Sequence, residues 1–141
     1  MRYAHRPFCY ESNDFGLLCD YLVENMRIPG RRNEMIKCKI TVLKRTFNKE
    51  FIDEYVEENR KATIGPCEMF YEGQEFVTDV LSGMPQGFCS WAWDDIYKSL
   101  IGFFSNGDFG MWYQRKDIII ACCTDGTRPV IFKIEKLVDA T

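Results

Sequence analysis

The closing part of the chain constrains the fold most. Ile118-Ile119-Ile120-Ala121-Cys122 is an unbroken apolar run of strand length. After the turn Cys123-Thr124-Asp125-Gly126-Thr127-Arg128-Pro129, the residues Val130, Phe132 and Ile134 alternate with Ile131, Lys133 and Glu135. That is the period of a strand with one buried face. Two such runs joined by so short a turn form an antiparallel hairpin. We therefore expect strands at 117–123 and 130–137, the first covered on both faces. Gly126 is expected to take a positive φ in the turn, a conformation glycine adopts without cost.

The same period marks a second strand. Ile36, Cys38, Ile40 and Val42 alternate with Lys37, Lys39 and Thr41, giving a half-buried strand over 36–45. A third is expected at 75–80, after the turn Glu72-Gly73-Gln74. Helical spacing appears twice. Phe51, Ile52, Tyr55 and Val56 make the apolar stripe of a helix over 49–59 opened by Asn48. Trp93, Ile96, Tyr97, Leu100, Phe103 and Phe104 make that of a helix over 91–104 capped by Ser90. The expected class is α+β, a mainly antiparallel sheet with two or three helices packed against it. The loop 105–116 separates the second helix from the closing hairpin and holds exposed-looking aromatics.

The chain has 141 residues, enough for one domain with one sizeable core. Its net charge of −3 argues against a broad nucleic-acid surface. No apolar run approaches the roughly 20 residues that span a bilayer, and the first residues show no secretory pattern. The expectation is a cytoplasmic protein without a membrane partner. Its seven cysteines are an odd number and follow no disulfide framework. In a reducing compartment they are thiols, metal ligands or redox groups.

Three turns carry thiols: Gly65-Pro66-Cys67, Gly87-Phe88-Cys89, and Cys122-Cys123-Thr124-Asp125. Each sets a cysteine at the end of an element, so the thiols could gather at one end of the sheet. If they gather, Cys67, Cys89 and Cys122 or Cys123 could hold zinc or iron, with Asp125 as a fourth ligand. No Cys-x-x-Cys pair supports this, and the one histidine, His5, lies far off in sequence. Alternatively Cys89, at the start of a helix, is a reactive thiol. The adjacent Cys122 and Cys123 should point to opposite faces. Trp91 and Trp93 are read as packing groups or a ligand platform. Arg128 could pair with Asp125 or with a ligand carboxylate.

The motifs Gly65-x-Cys67 with Gly73 and Phe76, then Gly87-Phe88-Cys89, then Cys122/Cys123 with Asp125 and Pro129-Val130-x-Phe132, together resemble a family of small prokaryotic proteins of unknown function. The resemblance covers about residues 36–137 and implies a domain boundary near residue 35, but no reaction. Residues 1–34 fall outside it. Their pattern Arg6-Pro7-Phe8, Asn13-Asp14-Phe15 and Leu17–Leu22 resembles the opening strand and helix of GNAT acetyltransferases, without that family's acyl-CoA loop. The chain thus divides into an N-terminal extension, 1–34, and a cysteine-containing α+β domain, 35–141. The first functional reading is a small binding domain with a metal or reactive-thiol site in the cysteine turns. The alternative is an interaction or regulatory module with structural cysteines. An enzyme comes third, because no acid–base pair or nucleophile–base unit can be quoted. Self-association is expected through residues 1–34 or the 105–113 loop.

Overall fold

The structure is a computed structural model and describes Glu24, Met26 and residues 35–137. Four strands form one antiparallel sheet: β1 (Lys37–Arg45), β2 (Glu75–Asp79), β3 (Ile118–Cys122) and β4 (Val130–Leu137). Their order is β2-β1-β4-β3, so the first and last of these four lie at the centre. Within residues 35–137 three helices accompany it: α1 (Lys49–Tyr55), α2 (Glu58–Lys61) and α3 (Ser90–Phe104). The α+β class and the antiparallel pairing agree with the sequence reading. Among the described residues, no helix is long and apolar enough to cross a membrane.

The two-residue period decides which face is dry. Cys38, Ile40 and Val42 pair in register with Lys136, Ile134 and Phe132, and on the β2 side Cys38 and Ile40 face Thr78 and Phe76. The apolar members of these pairs meet Ala92, Ile96, Leu100, Phe103 and Phe104 of α3 in one buried cluster. A knot of aromatic rings closes one end. Phe70 sits 5.0 Å from Phe88 and 5.3 Å from Phe132, and Phe76 sits 4.9 Å from Phe88, all as edge contacts. That geometry suits ring quadrupoles better than stacking face to face.

The opposite face of the sheet carries a network of ion pairs. Lys39 lies 3.2 Å from Glu75 and 3.6 Å from Glu135, Lys133 lies 2.8 Å from Glu135, and Arg115 reaches both Asp117 and Glu135. The hydrogen bond from Lys133 outweighs partial burial and holds the Glu135 carboxyl below its usual range.

Several expectations are corrected. β3 is an edge strand with one open face, and Ile120 and Cys122 are exposed there. A continuous apolar run does not by itself require cover on both sides. The expected helix over 49–59 is two short helices, because Val56 is extended at ψ 141 and ends α1. Of its stripe only Ile52 is buried; Phe51 and Tyr55 are exposed. On α3, Tyr97 is exposed rather than buried. Ser90 is the first residue of α3, and Cys89 occupies the N-cap position without a side-chain cap. Gly126 does not take a positive φ; Gly73, Gly83 and Gly87 do. The GNAT-like pattern and almost all of residues 1–34 lie outside the described residues.

One irregularity interrupts the central strand pair. The register between β1 and β4 shifts between Val42 and Lys44. Such a bulge re-aims the residues beyond it. Arg45 then pairs with buried Val130 and turns to the helix side of the sheet, where strict alternation would have placed Lys44.

Candidate functional site

Each cysteine turn is fixed by a different device. Gly87 takes φ 78, a backbone state that side-chain-bearing residues resist. The turn it makes buries Phe88 against Phe70 and leaves Cys89 at the head of α3. The Cys67 turn is held by the re-aimed Arg45. Its Nη1 donates to the Cys67 carbonyl at 3.1 Å, and its backbone N–H donates to Glu72 Oε1 at 3.0 Å. Arg45 Nε is buried and makes no hydrogen bond among the described residues.

The third turn, between β3 and β4, is pinned from three sides. Asp95 of α3 accepts from the Thr124 N–H at 2.7 Å and from its hydroxyl. Asn48 donates to the Gly126 carbonyl at 2.7 Å, and the Thr46 hydroxyl donates to the Pro129 carbonyl at 2.7 Å. Inside the turn, Asp125 Oδ1 accepts from the Thr127 N–H and hydroxyl and from the Arg128 N–H, while Oδ2 accepts from Arg128 Nε at 3.2 Å. Burial pushes the Asp125 carboxyl up, but these hydrogen bonds outweigh it and hold it below the ordinary range. The carboxylate thus bends the backbone in place of a left-handed glycine.

The three turns meet at one end of the sheet, around a cavity of about 230 Å³. Its walls include Cys67, Cys89, Cys123, Asp125 and Arg128, with Met69, Phe70, Trp91, Ala92 and Val130 as the apolar part. Cys123 is buried, and its Sγ accepts the Val130 N–H at 3.3 Å, which fixes that sulfur. Cys67 and Cys89 are partly buried. Trp91 is 72% exposed and forms a lip. Trp93 lies beside the cavity, not in its wall, with its ring 5.9 Å from Phe88 and 5.6 Å from Tyr97.

Cys122 is left out. It is exposed on the open face of the sheet, where it lines a shallow groove with Ile120, Pro129 and Ile131. The opposite facing of Cys122 and Cys123 is a consequence of the strand period. Cys38 lies deep under α3, where burial pushes its thiol up to about 12.

The soft sulfurs suit zinc or iron by chemistry. Among the described residues, however, no three His, Cys, Asp or Glu side chains are grouped so as to hold a metal ion. Asp125, the fourth candidate ligand, is already engaged by its own turn. Sharing a cavity is a looser condition than ligation, which puts sulfurs about 4 Å apart.

The sequence reading missed the residues that hold the turns. Arg45 carried no signal, because its orientation depends on a bulge. Asp95 acts across a long sequence separation, and Asn48, expected to cap α1, holds the N-cap position but makes no side-chain cap and donates to the Gly126 carbonyl instead.

Comparisons with protein-family models, with curated proteins and with solved structures find no match to the chain. What the site does is therefore read from its own chemistry.

Proposed function

We propose that the protein is a binding domain for a small organic ligand, held in the cavity among Cys67, Cys89 and Cys123. What supports this reading is the convergence of three separate turns on one partly apolar cavity, with three thiols and an arginine in its wall. Small-molecule sites are mostly apolar hollows with a few placed polar groups. The volume admits a small molecule rather than a dinucleotide. Sulfur adds a second mode of attachment, since a partly exposed thiol can hold its ligand covalently as well as by contact.

Disulfide exchange with a library of small disulfide fragments tests this. A thiol in a real pocket retains fitting fragments at reductant levels that strip them from an open surface thiol. Cys67 or Cys89 should keep a subset of fragments that exposed Cys122 releases. Equal, unselective capture at all three would sink the pocket reading. It would favour a contact surface instead, for which Met111 and Trp112 at the tip of the 105–116 loop, 92% and 81% exposed, are the specific support.

A further inference from the structure

We infer that the ligand of this cavity is an anion, a small organic carboxylate or a group of the same charge and geometry, recognised by Arg128. This rests on the pocket reading and adds the ligand's chemical class. Of the wall's polar side-chain groups, thiols aside, the acceptor is Asp125 and the donors are Arg128 and the Trp91 indole N–H. Asp125 is consumed: Oδ1 takes three hydrogen bonds from its own turn and Oδ2 takes Arg128 Nε.

Arg128 is not consumed. Only Nε is used by Asp125, and among the described residues neither terminal nitrogen has a protein acceptor. Fixing Nε orients the planar fork, which matches the two oxygens of a carboxylate. Trp91 and Ala92, also in the wall, belong to the first turn of α3, whose N–H groups have no intrahelical acceptor and no side-chain cap. The polar part of the wall therefore offers donors and almost no open acceptor. The nearby carboxylates do not change this. Asp95 is bound to Thr124, and exposed Asp94 and Glu68 lie outside the wall. Phe70, Met69 and Val130 suit an apolar body on the anion.

Paired alkylation tests the inference. Iodoacetate and iodoacetamide react by the same step: the sulfur attacks the methylene carbon, the S–C bond forms, iodide leaves, and the thiol proton passes to solvent. They differ in carrying a carboxylate or a neutral amide. The ratio of their rates at one cysteine thus cancels that cysteine's own nucleophilicity and reports attraction for the anion. Cys122 supplies the baseline within the same molecule, and peptide mapping assigns each site.

In the wild-type protein, the iodoacetate-to-iodoacetamide ratio at Cys67 or Cys89 should exceed that at Cys122 by on the order of tenfold. Arg128→Gln should bring the ratio down to the Cys122 value, whatever it does to the absolute rates. Arg128→Lys should retain part of the preference. Equal ratios at pocket and surface thiols in the wild type would overturn the inference, whether or not the variants fold. So would a preference that survives Arg128→Gln. If neither reagent reaches Cys67 or Cys89 while Cys122 reacts, the pocket reading itself fails along with it.

Discussion

At the scale of single residues, Cys38 shows what burial does to a thiol. Its side chain is fully enclosed, and its titration is pushed from 9.0 to about 12. Below pH 9.0 the group is protonated in both folded and unfolded chains and has no effect on the pH dependence of stability. Above it the unfolded chain releases the proton and the folded chain keeps it, so stability falls as pH rises towards about 12. Between about pH 8 and about pH 10.5 this group alone should cost about 2 kcal/mol. Urea melts of the wild type and Cys38→Ala should therefore differ in slope against pH, the variant losing less. Parallel slopes would mean that the thiol titrates normally. The inward position of Cys38 was legible from alternation with Lys37 and Lys39. The behaviour of Gly126 was not, because an aspartate two bonds from the backbone can bend a turn as well as a glycine can. Gly87, one of the glycines that do need their freedom, lay in a turn the sequence marked without revealing its handedness.

Among the elements, the joint between α3 and the β3–β4 turn matters most for the site. Among the described residues, Asp95 alone spans it by side-chain hydrogen bonds, accepting both the N–H and the hydroxyl of Thr124. Removing an acceptor of this kind leaves the Thr124 N–H to water, at an exposed position. Asp95→Ala should lower stability by about 1–2 kcal/mol and raise amide hydrogen exchange at Thr124. Unchanged exchange at that amide would show that the turn is held by other means. Strand and helix positions were largely legible, since the apolar periods in 36–42, 96–104 and 130–134 are strong. The sidedness of β3 was not. Ile118, Ile119 and Ile120 read identically along the chain, and only the register, which sets Ile120 opposite Lys133 and Ile119 opposite buried Ile134, shows which of them faces out. Arg45 was equally hidden, because one extra residue in β1 reverses which side it faces.

For the whole molecule, the question is what residues 1–34 contribute. Met26 packs against the core, and its carbonyl accepts the Ile36 N–H at 3.0 Å. The buried cluster itself is drawn from Ile36 to Ile134. A chain of residues 35–141 should therefore melt cooperatively, at a lower midpoint than the full chain. A non-cooperative transition, or a soluble product without fixed near-ultraviolet dichroism, would show that the extension belongs to the core.

The open face of the sheet has a consequence of its own. Lys39, Arg115 and Lys133 interlock with Glu75, Asp117 and Glu135, three cations against three anions. Viewed from beyond a Debye length of about 10 Å, such a mosaic is electrically silent, however wet it is at close range. The excess of −3 must then sit on the rest of the surface. Among the described residues, net charge is therefore unevenly spread. A charged body approaching in solution turns such a surface as well as attracts or repels it, and the ion-paired face is the part of it that the body feels least.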